Sequence, residues 1–435
     1  MKKIKLTEET KQGLLHELLK RSPESYGSYE SIVKEITERV RREGDAALFS
    51  YTKEFDHCEI GASDILVTAE EMQEAVDSLE TDFVEVMEEA AANIRMFHQK
   101  QLRNSWIDTK EDGSILGQRI LPIARAGVYV PGGRAAYPSS VLMNVIPAKV
   151  AGVPDIIMTT PPDREGKISA ATLAAARIAG VDRIYKAGGA QAIAAMAFGT
   201  QSIPRVDKIT GPGNIFVALA KRAVYGHVSI DSVAGPSEIL VLADETANPR
   251  YVAADLLSQA EHDELASAIL ITTSPRLAEQ VEEEIGSLLT TFSRSEIIEK
   301  SLERYGYILL ADNLSQAVDA ANEIASEHLE ILTANPFEVM TKIKNAGAIF
   351  LGEHSCEPLG DYFAGPNHIL PTNGTARFFS PLGVDDFMKK SSIICYSQAA
   401  LEAVHGKIEL FARKEGLTAH ENAIRVRFDA WRAAK

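Results

Sequence analysis

The feature that most constrains this chain is the rhythm of its middle, where short apolar runs are each followed by a Gly-containing turn and a helical stretch. That alternation marks βα units, whose crossover helices cover both faces of a parallel sheet. Strands are predicted at 126–130, 155–159, 182–186 and 207–209, with Ala-rich helices such as 170–179 between them. A second block carries strands at 239–242, 268–272, 307–310, 330–332 and 348–351, separated by helices such as 250–263 and 314–325. The expected fold class is α/β, with two doubly wound, Rossmann-like parallel sheets. Length agrees, since 435 residues exceed the size at which one hydrophobic core usually stops growing.

Around these blocks, 28–55 and 68–102 carry apolar residues at helical spacing among many charges. The expected division is a helical N-terminal extension over 1–25, a discontinuous α/β domain over 26–128 and 238–381, a second α/β domain over 129–237, and a C-terminal tail over 382–435. After Pro381 the tail has one apolar run, 392–397, and a helical stretch, 398–415, so it must lean on its own subunit or on a partner.

Forty-five basic and 61 acidic residues give a net charge of −16, which repels nucleic-acid backbones and anionic lipid. The three cysteines, Cys58, Cys356 and Cys395, are too few and too scattered for a disulfide framework or a thiolate metal site, and a cytoplasmic setting is expected. No signal-peptide core and no 18-residue apolar run appears, so neither export by that route nor a membrane span is expected.

The dinucleotide fingerprint GxGxxG is absent; the nearest string, starting at Gly211, lacks its third glycine. Three strand-to-glycine junctions occur instead, at Val130-Pro-Gly-Gly-Arg134, Ala187-Gly-Gly-Ala-Gln191 and, around that same string, Thr210-Gly-Pro-Gly-Asn214. Singly, each is an ordinary βα turn. Together, at one end of one sheet, they line the crevice where open α/β sheets bind ligands.

Gln259 and His262 share a helix face with Asp255, on a helix announced by Asn248 as N-cap and Pro249 at its first position. Taken alone, the pair reads as the polar end of a surface helix. Glu327-His328 is expected at the C-terminal end of a helix, where His commonly complements the dipole and Glu commonly faces water. Residues 360–377 lack any period yet hold aromatic and aliphatic side chains, which marks a functional loop with Asp361 and His368 as candidate ligands or proton carriers. Combined with His420, the set Gln259, His262 and Asp361 offers oxygen and nitrogen donors suited to zinc or another first-row divalent metal.

Several long strings resemble the histidinol dehydrogenase family: AGVYVPGGRAAYPSSVLMN, KAGGAQAIAAMAFGT, TGPGN, IDSVAGPSEILVLAD, LLSQAEHD, SEHLEI, GDYFAGPNHILPTNGTARF and EGLTAH. The match runs from about Arg125 to about His420. The resemblance implies NAD-dependent, four-electron oxidation of L-histidinol to L-histidine through L-histidinal, the last step of histidine biosynthesis. It implies one zinc per subunit, held by Gln259, His262, Asp361 and His420, with Glu415 and His420 contributed across a homodimer interface, which would explain the tail. It further implies His328 as general base, Glu327 as activator of water, and substrate contacts from Ser237, Gln259, His262, Glu327, His328, Asp361, Glu415 and His420. NAD contacts would fall on Tyr129, Gln191 and Asn214, within the junctions already singled out. Ser326 stands where Pro is usual, and Ser232-Val233 where Met-Pro is frequent. From the residues alone, a zinc-dependent hydrolase and a non-catalytic nucleotide-binding protein remain alternatives.

Overall fold

A computed structural model describes residues 1–19, 27–132 and 137–433. The chain divides into two compact units, one of residues 1–102 and 123–387, the other of residues 103–122 and 388–435.

The first unit holds two parallel sheets. In the five-stranded sheet, Arg125–Tyr129 lies centrally between Asp155–Thr160 and Lys208–Thr210, flanked by Arg183–Lys186 and Ser229–Ile230. In the six-stranded sheet the order is Lys2–Lys5, Gly306–Leu310, Ser267–Thr272, Glu238–Ala243, His328–Leu332 and Ala348–Leu351. Every pairing in both sheets is parallel. Strands such as Glu238–Ala243 and Ser267–Thr272 are buried along their whole length, because helices cover both faces.

The nine strands expected from the βα rhythm are all present, with ends shifted by at most two residues. Two strands of these sheets, Ser229–Ile230 and Lys2–Lys5, were not foreseen. Lys2–Lys5 pairs with Gly306–Leu310 at the sheet edge, and its three lysines read as surface because an edge strand keeps one side in water. The stretch 28–55 is two helices, Gly27–Glu43 and Asp45–Phe55, broken at Gly44, whose φ of 61° a helix cannot contain.

The second unit is an antiparallel sheet of Trp106–Thr109, Ile115–Pro122 and Met388–Cys395, with helices Gln398–Lys414 and Thr418–Ala433. Among the described residues no helix is long and apolar enough to cross a membrane.

Candidate active site

Four elements of the first unit, two strands and two helices, converge at the amino edge of the six-stranded sheet. The strands Glu238–Ala243 and His328–Leu332 run side by side, with His328 opposite Ile239 and Glu330 opposite Val241. Leu329 and Ile331 pack on one face with Leu240 and Leu242, while Ile239 and Val241 pack on the other with Leu256, Leu257 and Ala260. Side chains alternate along a strand, so His328 and Glu330 share the face covered by the helix Pro249–Ala260. Asn248 caps that helix through its Oδ1, which accepts the Arg250 N–H at 3.0 Å, and Pro249 opens it, as the sequence signals indicate. Gln259 lies in the last turn and His262 just beyond the C-cap, Glu261.

The fourth element is the short helix Glu357–Tyr362, which runs into the start of the stretch 360–377 expected to be structureless and carries Asp361. Its first N–H, on Glu357, donates to Glu330 Oε1 at 3.0 Å, and Ser258 Oγ donates to Glu357 Oε2 at 2.9 Å. His262, Glu357 and Asp361 thereby present ligand atoms that all lie within 4.8 Å of one another. Gln259, on the same turn as His262, is 1% exposed and its Oε1 has no partner. An amide oxygen left bare inside a protein costs stability unless something binds it, and a divalent cation answers that need. Imidazole, carboxylate and amide donors suit zinc.

Glu357 is absent from the ligand set that sequence reasoning assembled. Its role is set by two contacts made through folding, with Ser258 and with the Glu330 strand, and neither is visible as a spacing. The Leu329-Glu330-Ile331 string did carry a signal, a carboxylate inside an apolar strand.

Glu327 and His328 overturn one expectation. The preceding helix ends at Ile324, and His328 is the first residue of its strand, so the pair sits at the start of the sheet rather than at a helix end. Both are buried, at 6% and 4% exposure, instead of facing water. The main chain of Glu238 grips them. Its N–H donates to Glu327 Oε2 at 2.8 Å, and its carbonyl accepts from His328 Nδ1 at 3.0 Å.

A carbonyl is only an acceptor, so the Nδ1 contact assigns the proton to Nδ1 and leaves Nε2 as a bare lone pair. That Nε2 is buried, has no hydrogen-bond partner, and lies 3.9 Å from Asp361 Oδ1. Burial holds the His328 pKa below the ordinary imidazole value, which keeps the ring neutral and basic. Burial also raises the Glu327 carboxyl well above its usual range, against the lowering effect of the Glu238 N–H. Asp361 is pushed up to about 8 by burial and then by the Glu357 charge. His368 Nδ1 donates to the Asp361 carbonyl at 3.1 Å, and burial lowers its pKa to about 4. Ser326, buried at 2%, leaves its Oγ without a partner and follows Ala325, whose φ is 52°.

Ser237 is half-buried immediately before the strand Glu238–Ala243. Glu415 and His420 belong to the second unit. Glu415 is the C-cap of Gln398–Lys414 and His420 stands in the first turn of Thr418–Ala433, both exposed.

The glycine junctions follow the carboxyl ends of the five-stranded sheet. Tyr129 ends the central strand, and its buried Oη accepts the Gly189 N–H at 3.1 Å, tying the first junction to the second. Burial pushes the Tyr129 phenol up to about 12, so it stays neutral. Gln191 is 1% exposed with its Nε2 unpartnered. Asn214 is exposed and caps the helix Ile215–Val224, its Oδ1 accepting from Phe216 and Val217 N–H groups. Gly133 and Arg134 of the first junction lie outside the described residues. A buried amide donor and two helix N-termini beside glycine turns fit a dinucleotide.

A family model described as histidinol dehydrogenase matches residues 19–428. A protein named histidinol dehydrogenase from Halalkalibacterium halodurans is 58% identical over 400 residues, covering 92% of this chain and 94% of that protein. One of the same name from Clostridium acetobutylicum is 57% identical over 396 residues, covering 91% of each. The crystal structure of histidinol dehydrogenase from Elizabethkingia anophelis superposes with a TM-score of 0.93 at 38% identity, covering 99% of both chains.

Proposed function

The chain belongs to the histidinol dehydrogenase family, and from that premise we infer that it oxidises L-histidinol to L-histidine with NAD, through L-histidinal. The observation that carries the chemistry is the buried, unpartnered Nε2 of His328, held in its neutral tautomer by the Glu238 carbonyl beside the His262, Glu357 and Asp361 cluster.

We propose Gln259, His262 and Asp361, with His420 of the partner subunit, as zinc ligands, and Tyr129, Gln191 and Asn214 as NAD contacts. Zinc supplies a fixed positive charge that orients the amino and imidazole nitrogens of histidinol, and NAD supplies the two-electron acceptor used once in each oxidation. Ser237, Glu415 and the ligand residues complete the substrate pocket. His328 Nε2 takes the hydroxyl proton as the C–H hydride departs, a task suited to an imidazole kept neutral by burial. Glu327 then receives a proton from water that adds to the aldehyde. A carboxylate stripped of solvent is a stronger base than a hydrated one, which suits it to that step. His328 gives its first proton to the aldehyde oxygen as water adds, and so is free to accept a proton again as the hydrate passes its hydride to a second NAD.

The shared site needs a homodimer. The second unit exposes Ile107, Ile394 and Phe411 at 63%, 72% and 69%, apolar side chains that a partner subunit could cover.

The test is NADH produced per histidinol consumed by the purified enzyme, with and without a chelator. Two NADH per histidinol, lost with chelator and restored by zinc, is the expected result. One NADH per substrate, or none, overturns the four-electron reading.

A further inference from the structure

Lys221 and Asp231 form an ion pair whose side chains are only 3% and 4% exposed. Both close on the same peptide. Lys221 Nζ donates to the Gly211 carbonyl at 2.9 Å, and Asp231 Oδ2 accepts the Gly211 N–H at 2.8 Å. Asp231 Oδ1 also accepts the Ser232 N–H at 2.7 Å. Gly211 itself has a φ of 121°, and a Cβ there would sit 2.0 Å from the Tyr129 carbonyl oxygen.

The pair thus fixes both polar groups of one glycine, in a conformation that only glycine adopts, between Tyr129 and Asn214. Stability is a poor explanation for it, because buried ion pairs replaced by apolar groups of similar size often leave stability unchanged or raised. What such a pair does supply is a single backbone geometry.

We propose that Lys221 and Asp231 are positioning residues that hold the turn 210–214 in the shape that receives NAD. This rests on the assignment of the glycine junctions as the NAD site. The lock acts through the backbone and touches no reacting atom. Its effect falls on the dinucleotide rather than on histidinol, whose proposed contacts lie outside the five-stranded sheet.

The experiment uses the full-length, zinc-loaded enzyme carrying Lys221→Met together with Asp231→Asn, a neutral pair that strands no buried charge. KM for NAD should rise on the order of 10- to 100-fold, the penalty for a misplaced contact, with KM for histidinol and zinc content at wild-type values. Asp231→Asn alone, which keeps one oxygen for the Gly211 N–H but leaves the buried Lys221 charge without its partner, should show the same asymmetry together with a lowered Tm. Equal changes in both KM values, a lowered Tm with neither changed, or loss of folding in both variants would make the pair purely structural and overturn the proposal. Gln191→Leu separates the two assignments. If it raises KM for NAD while the lock variants do not, only the lock fails; if it leaves KM for NAD unchanged, the NAD site is misassigned and the lock falls with it.

Discussion

Replacing His328 by Asn tests the mechanism most directly, because the structure dictates what the change keeps and what it removes. The asparagine amide N–H can meet the Glu238 carbonyl as Nδ1 does at 3.0 Å, so the buried acceptor stays satisfied and the strand keeps its place. What disappears is the Nε2 lone pair, since an amide offers no basic nitrogen. General-base assistance contributes about 10²- to 10⁴-fold, or about 3–5 kcal/mol of transition-state stabilisation. kcat should fall by that factor with L-histidinol and with L-histidinal alike, because the same nitrogen serves both oxidations. Zinc content, read by atomic absorption, and KM for histidinol should change little. In the wild type the acid limb of kcat/KM should lie below the ordinary imidazole value of about 6.5, since burial lowers the His328 pKa and activity is lost only as pH falls far enough to protonate it. That limb should vanish in the variant. A kcat within tenfold of wild type on either substrate would refute His328 as the base.

Other outcomes follow from the same geometry. Glu327→Gln keeps an oxygen for the Glu238 N–H but cannot take a proton, so histidinal oxidation should fall by about 10²-fold or more while the first oxidation falls less; equal losses on the two substrates would remove Glu327 from the water step. In the metal-free protein Asp361 holds its proton up to a pKa of about 8, so zinc must displace it. Below that pH, affinity should weaken by about tenfold per unit, with proton release seen by calorimetry in buffers of different ionisation heat; a pH-independent affinity between 6 and 8 would be the contrary result. Gly211→Ala forces a Cβ to 2.0 Å from the Tyr129 carbonyl and should cost about 2–4 kcal/mol in denaturant unfolding. His420→Asn and His262→Asn should each be inactive alone, and mixing the refolded subunits should recover activity in the heterodimers, a recovery that sites confined to one chain cannot produce.

Much of the scaffold was legible because each expected strand is short, apolar and followed by a turn and a helix, a pattern that buried parallel strands impose on sequence. The helix carrying Gln259 was readable from Asn248 and Pro249, whose capping roles are local chemistry. Glu357 was not, since its placement depends on Ser258 and Glu330, about 100 and 27 residues away. His328 was misplaced from periodicity alone, because the preference of histidine for helix ends is a statistical habit, whereas the Glu238 carbonyl that orients it comes from a neighbouring strand. The lysine-rich Lys2–Lys5 strand hid for a similar reason, its partner Gly306–Leu310 lying some 300 residues on.

The start of a strand is an unusual address for chemistry in an open α/β sheet, where ligands commonly gather beyond the opposite ends. Here His328 leads its strand directly beside Ile239, and a slip of one residue in that ladder would turn the imidazole and Glu330 to the wrong side of the sheet. The hydrogen-bond register therefore serves as the gauge for the proposed reacting groups. The far rim, where the strands end at Ala243, Thr272, Leu310 and Leu332, is released from that duty, leaving its loops free to lengthen, shorten or acquire new surfaces as the lineage diverges.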